Sequence, residues 1–281
     1  MLDPKITHSF REMQFDDIEA HPVRIPDGNS CVKRAGALII NADDWGRDTE
    51  NTDAIVECAK HGTISSVSAM VFMDDSDRAA SIARNMEIDA GLHLNFTTPF
   101  VARNCPCGLV EHQRRVRSYL TRHLFAPVVY NLCLAQSFEY LVFAQLDEFG
   151  RLYGAAPDRI DGHHHMHLCA NVLFRDLLPE GVVVRRNFSF RRGEKSVCNR
   201  LYRRAVDQWL GRRHRITDLF FSLAPLEPLN RLERIFSQAR QHFVEVETHP
   251  VNVPEYRFLL EGEIARRLGD LKIAVGFVLP G

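Results

Sequence analysis

Short, mostly apolar stretches recur along this chain with helix-spaced segments between them, and that alternation limits its fold more than any other feature. "GALIINA" (36–42), "ISSVSAMVF" (64–72), "IDAGLHL" (88–94), "DRIDG" (158–162), "GVVVRR" (181–186), "ITDLFFS" (216–222), "HFVEVET" (242–248) and "KIAVGFV" (272–278) read as strands. Helical spacing predicts helices over about 48–61, 75–85, 168–178, 196–210, 229–241 and 255–268, and over 110–153 with a break near Pro127. Strand–helix alternation requires parallel pairing through right-handed crossovers. About eight strands, with no G-x-G-x-x-G after the first, favour an α/β barrel over a doubly wound sheet. Residues 1–35 are expected to be an extension outside the barrel that need not be well ordered, and 36–281 the barrel.

The composition, 45% hydrophobic and 25% charged over 281 residues, is enough to bury a sizeable core. A formal net charge of −1 provides no global basic field, so nucleic acid is not an expected partner. Charge is uneven, however, and residues 185–215 are strongly basic. They read either as a solvated helix face and loop or as a patch for an anionic substrate or carrier. Asn131, Gln136, Ser137, Glu139 and Gln145 interrupt the apolar run from Val128 to Leu146, which predicts a buried helix rather than a membrane span. The first twenty residues show no signal-peptide pattern, and the seven cysteines are scattered. Reduced thiols and a cytoplasmic location are the expectation. Cys105 and Cys107 stand closer together than the usual zinc-site spacing.

The unusual polar residues fall at strand ends. Asp43 and Asp44 follow the first strand, His93 ends the third, His163 follows "RIDG", and His249 follows "HFVEVET". In a parallel barrel these ends share one rim, the face on which such folds place their chemistry. Taken alone, paired aspartates after a strand would cap the next helix. Adjacent strand residues point to opposite faces, so Asp43 and Asp44 serve one site only if the chain leaves β geometry there, a turn that Gly46 makes cheap. Leu92 and Leu94 share one face of their strand, which turns His93 toward the barrel interior. An extended run would put His163, His165 and His167 on one face, whereas a helical one would pair His163 with His167. Glu245 and Glu247 lie on His249's side of their strand, and Arg185 or Arg186, at the end of a neighbouring strand, would supply the partner a buried carboxylate needs.

The motifs "NADDWG" (41–46), "GLHLNFT" (91–97), "DGHHHMH" (161–167), "EVETHP" (245–250) and, weakly, "VRRN" (184–187) resemble those of the YdjC-like carbohydrate deacetylases, in order and separation, across residues 36 to about 278. That family includes chitooligosaccharide deacetylase and the hopanoid-biosynthesis deacetylases. The resemblance implies a deformed TIM-like barrel of seven to eight mostly parallel strands. It implies one divalent ion, Zn2+ or Mg2+, held by Asp44, His93 and His163, and removal of an acetyl group from an N-acetylated sugar. His164, His165 and His167 would then line or buttress the site. Trp45 stands where the family usually has phenylalanine, Ala170 where a proline often follows the histidines, and residues 187–215 have no match.

Amide hydrolysis at neutral pH needs an activated water, a stabilised oxyanion and a proton for a poor leaving group. On this reading Asp43 takes the water proton, His249 protonates the departing nitrogen, and Arg185 orients Asp43 and keeps it ionised. Trp45, Phe96 and Phe188 are candidates to stack on sugar rings, with His165 beside them. Two imidazole ligands suit zinc better than magnesium. The substrate is an N-acetylated sugar or oligosaccharide, anionic or carrier-linked if the basic segment takes part, and a homodimer stays open. A metal-dependent phosphoesterase or other hydrolase on an anionic sugar conjugate would use the same ion. A catalytically silent glycan-binding barrel would need neither Asp43 nor His249.

Overall fold

Alternation of side chains decides what each strand buries. In the nine-residue strand β1 (Ala37–Trp45), Leu38, Ile40 and Ala42 pack into the apolar layer, while Asn41 and Asp43 turn the other way into a polar interior. In β7 (Phe243–Thr248), Val244 and Val246 pack outward and Glu245 and Glu247 inward. β3 (Ala90–Leu94) directs His93 inward between Leu92 and Leu94, and β4 (Arg159–Gly162) does the same with Arg159 and Asp161 around Ile160. The apolar core thus lies between sheet and helices, and the space the sheet curls around is filled by charge.

The structure, a computed structural model, describes residues 36–103, 105–191, 193–277 and 279; the expectation for 1–35 lies outside them. With β2 (Ser66–Ala69), β5 (Val183–Val184) and β6 (Leu219–Ser222), the strands form one parallel sheet in the order β5-β4-β3-β2-β1-β7-β6. That is the order of a seven-strand barrel opened between β5 and β6. The seam is partly stitched: Val184 N–H donates to Arg215 O at 2.8 Å, and Ser189 N–H to Phe220 O at 2.8 Å.

Among the described residues, 272–277 form no eighth strand. Ile273 makes a single bridge with Leu38, because β2 takes that edge of β1 from Asn41 onward while β7 holds the other. β1 therefore has no free edge for a longer pairing.

Helices pack outside the sheet. Asp48 caps α1 (Thr49–Lys60) by accepting from Asn51 N–H. α2 (Ser76–Met86), α3 (Cys107–Leu120) and α4 (Ala135–Tyr153) follow, with Pro127 in a 3₁₀ turn between the last two. Next come α5 (Ala170–Phe174), α6 (Val197–Leu210) and α7 (Leu229–Gln238). The predicted last helix is two, α8 (Val253–Leu260) and α9 (Glu263–Leu268), separated at Gly262 with φ of 79°. Among the described residues no helix is long and apolar enough to cross a membrane.

Close packing at the end of β4 makes a test of this arrangement. A Cβ on Gly162 would lie 2.9 Å from the His167 backbone nitrogen, whereas one on Gly108, inside α3, would meet nothing within 4 Å. Gly162→Ala is expected to destabilise by about 1–3 kcal/mol through overpacking, and Gly108→Ala to stabilise by about 0.4–1 kcal/mol. Denaturant unfolding of both variants measures the difference, and equal midpoints would refute the packing argument.

Candidate metal centre

The chain leaves β geometry at Asp44 itself, whose φ is 66°, and the β1–β2 register slips between Ala42 and Trp45. This bulge, two residues earlier than Gly46, lets two consecutive aspartates face the same interior. Asp44 Oδ1 lies 2.8 Å from His163 Nδ1 and 3.4 Å from His93 Nε2. Neither nitrogen is aligned as a donor, so this buried oxygen has no hydrogen-bond partner, while Oδ2 accepts from Arg47 at 2.9 Å. One atom from each of Asp44, His93 and His163 lies within 4.8 Å of the others, and all three residues are buried.

The histidine run is neither extended nor helical. His164 and His165 both take left-handed backbone, φ 55° and 57°, and the turn sends the four rings to four places. His163 faces Asp44, and His164 Nδ1 contacts Thr97 Oγ1 at 3.0 Å. The ring of His165 lies 4.7 Å from that of Phe188, with Nε2 3.6 Å from Glu247. His167 donates from Nε2 to Arg185 O at 2.9 Å. Burial and the Arg185 charge push the pKa of His165 down to about 3, and burial pushes that of His167 down to about 4. These two rings are neutral.

Arg185 fills the middle of the interior. It comes from the end of β5, at the far edge of the sheet from β7 rather than beside it, and reaches across the open seam. Its guanidinium donates to both oxygens of Asp43 at 2.7 and 2.8 Å and to Glu245 at 2.7 Å, and lies 2.7 Å from Asp161. Its planar fork is matched to this, as an ammonium would not be. Asp161 in turn binds His93 Nδ1 at 2.7 Å, which fixes that imidazole and leaves Nε2 toward Asp44. Burial alone would raise the pKa of Asp43, but Arg185 and then His93 hold it below the ordinary value. Burial opposes a charge on His93 too, yet Asp161 and Asp43 push its pKa up to about 10. Burial, then Asp43, drives Glu247 well above its usual range.

Among the sequence-derived candidates, Asp43, Asp44, His93, His163 and Arg185 converge, and His165 and Phe188 stand together at the edge. His249 follows β7, half-buried, with its backbone N–H bound to Glu255 at 3.0 Å and no hydrogen bond from its ring into this cluster. Trp45 and Phe96 correct the expectation: both are wholly buried in the apolar layer, so neither offers a ring face to a sugar. Each lies an odd step beyond an inward residue, on the face turned to the helices. Asp161 and Glu247 were not among the candidates, although alternation from Arg159 and from Glu245 places both inward.

An Asp-His-His cluster at the C-terminal rim of a parallel barrel, braced by a buried arginine, defines a candidate mononuclear metal centre in an α/β barrel. The chain belongs to the YdjC-like protein family, whose profile matches residues 37–268. It is 29% identical over 153 residues to a chitooligosaccharide deacetylase of Proteus mirabilis, covering 52% of this chain and 53% of that one. It is 33% identical over 144 residues to a carbohydrate deacetylase of Mus musculus, covering 48% and 44%. The chain thus spans about half the length of the curated relatives it matches. A protein of Enterococcus faecalis V583, described as a candidate cellobiose-phosphate cleavage protein, shares the fold with a TM-score of 0.60 at 18% identity, over 85% of this chain and 97% of that one.

Removing the central cation should be costly. Arg185→Leu leaves Asp43, Asp161 and Glu245 buried without it, and the expected loss is about 3–5 kcal/mol. Urea unfolding of purified variants checks this, and a loss below about 1 kcal/mol would show that the carboxylates find other partners.

Proposed function

We propose that this protein is a metal-dependent carbohydrate N-deacetylase. The observation that carries the reading is the convergence of Asp44, His93 and His163 beside a second, arginine-bound aspartate. The donor set fits a divalent ion. Asp44 Oδ1 is buried and without a hydrogen-bond partner, and it lies beside two imidazoles whose nitrogens are within 4.8 Å of it and of each other. Two imidazoles and one carboxylate suit zinc better than magnesium. When bound, such an ion lowers the pKa of water toward about 7 and polarises the acetyl carbonyl.

The chain's own groups do the rest. Asp43 Oδ1 already accepts from Asn41 and Arg185, whereas Oδ2 accepts from Arg185 alone and keeps a lone pair for the water proton. Arg185 holds that carboxylate ionised and fixes its plane. Asp161 sets the tautomer of His93 by accepting from Nδ1. His249, on the same rim, donates a proton to the departing amine nitrogen. Phe188, stacked on Phe220 at 4.6 Å, and His165 offer the ring faces that Trp45 and Phe96 do not.

The relatives named as chitooligosaccharide and carbohydrate deacetylases support an N-acetylated sugar as substrate. A cleft of about 390 Å³ begins at Phe188 and is lined by Arg191, Lys195, Arg231 and Arg234 with Glu194 as its one carboxylate. This excess of positive charge favours an anionic or carrier-linked sugar over a neutral one.

Release of acetate from N-acetylated oligosaccharides by the zinc- or magnesium-loaded protein tests the activity, with chelated protein as control. Asp43→Asn should retain its metal and lose about 10²- to 10⁴-fold in turnover, whereas His93→Ala should lose the metal. Full turnover by Asp43→Asn would remove the assigned base, and metal loss there would exchange the roles of the two aspartates.

A further inference from the structure

Helix α6 carries its apolar residues on the wrong side for a surface helix. Its inner face is fastened largely by polar contacts: the buried Asp207 carboxylate accepts from Arg186 at 2.7 Å and from the Asn187 backbone at 3.0 Å. Only Val206 and Leu210 add buried apolar area on that side. The outward face bears Val197, Leu201, Tyr202 and Trp209, of which Val197 is 61%, Leu201 58% and Trp209 42% exposed. A helix that packs one face on a core normally turns polar residues to water. The stripe continues beyond the helix: the Trp209 ring lies 6.1 Å from that of Phe174, itself 61% exposed, and Phe174 lies 6.3 Å from Tyr130. A contiguous exposed apolar patch of this kind marks a contact surface.

We propose that this face docks on an anionic phospholipid bilayer. Arginine and lysine surround the stripe: Arg191, Lys195, Arg204 and Arg212 are all exposed. With the inward-turned Arg185 and Arg186 set aside, residues 191–215 contain nine Lys or Arg against two Asp or Glu. Aromatic and aliphatic side chains at the acyl boundary, with basic heads at the phosphates, are the pattern of an interfacial helix. Tyr and Trp prefer that depth because one end of each is apolar and the other polar. A second copy of the chain fits less well, since a two-fold contact centred on α6 would bring Arg204 and Arg212 against their own counterparts. The helix follows the end of β5 through the loop that carries Arg191 and Lys195, so docking would leave the basic cleft close to the membrane surface.

The chain supplies its own probe. It has two tryptophans, and Trp45 is wholly buried, so a change in emission on contact with vesicles reports Trp209. The full-length protein is mixed with vesicles of phosphatidylcholine alone or of phosphatidylcholine with phosphatidylglycerol. The expected result is a blue shift and co-sedimentation with the anionic vesicles only, weakening as salt is raised. Val197→Ser/Leu201→Ser and, separately, Arg204→Glu/Arg212→Glu should each lower that binding by roughly tenfold or more, with unchanged thermal unfolding. Absence of binding to either vesicle overturns the proposal. A concentration-dependent dimer in sedimentation velocity that the same apolar substitutions abolish would assign the face to a second copy and overturn it equally.

Discussion

The fully buried guanidinium of Arg185 is the constraint on which the rest of this structure depends. A seven-strand sheet that stops short of closure leaves β5 and β6 joined by few backbone hydrogen bonds. Arg185 ties the two sides together through side chains, from the end of β5 to Asp43 on β1 and Glu245 on β7. An isolated charge at that depth would be untenable, as would three carboxylates without it. Each makes the other possible, and neither is tolerable alone. The same ion cluster that closes the barrel therefore sets the charge state of the candidate site, because Asp43 and Asp161 are shared between the two.

Among the described residues, three of the six non-glycine residues with left-handed backbone belong to the site. These are Asp44, His164 and His165, each at a strand end on the C-terminal rim of the sheet. Such conformations cost of order 1–3 kcal/mol apiece and persist only where the surroundings enforce them. At Asp44 the holding contact is the Arg47 hydrogen bond to Oδ2. At the histidine run the contacts are Thr97 on one side and the His167-to-Arg185 carbonyl bond on the other. What the strain yields is direction. Without it, alternation would put Asp43 and Asp44 on opposite faces of β1, and His163 could not face Asp44 while His167 packs beneath it.

The architecture was legible in the sequence to the extent that it rests on period-two alternation. Leu92 and Leu94 around His93, or Val244 and Val246 around Glu245, announce which side faces in, because burial selects one side chain at a time. The missing eighth strand was not legible in this way: 272–278 has the composition of a strand, but whether β1 has an edge left for it is a property of the assembled sheet. Arg185 was recognisable as a partner for buried carboxylates, yet its reach across the seam depends on sheet order, which no local pattern encodes. Proximity to a rim motif does not imply exposure at Trp45 and Phe96: the bulge breaks the parity of Trp45 with Asp43, and Phe96 lies an odd step from the inward His93, so both rings turn to the helices. Asp161 carried the clearest unused signal. It lies on the inward face of a strand that ends at His163, with Arg159 on the same side.

Two adjacent carboxylates in one cavity usually compete for the same proton, and here their environments separate them. Asp44 faces one nitrogen of His93 and one of His163, the three candidate ligand atoms lying within 4.8 Å of one another, and its free oxygen is left without a hydrogen bond. Asp43 faces a guanidinium that takes up three of its lone pairs' worth of space with Asn41 and leaves one direction open. The first arrangement suits a ligand, whose oxygen must be free of donors. The second suits a proton acceptor, which must be held still and ionised without being neutralised. Exchanging the two would fail on both counts, since an arginine-bound oxygen is a poor ligand and an ion-bound oxygen is a poor base. The order Asp43-Asp44 is thus fixed by which of the pair sits in the bulge, and the bulge by the need to present both from a single strand end.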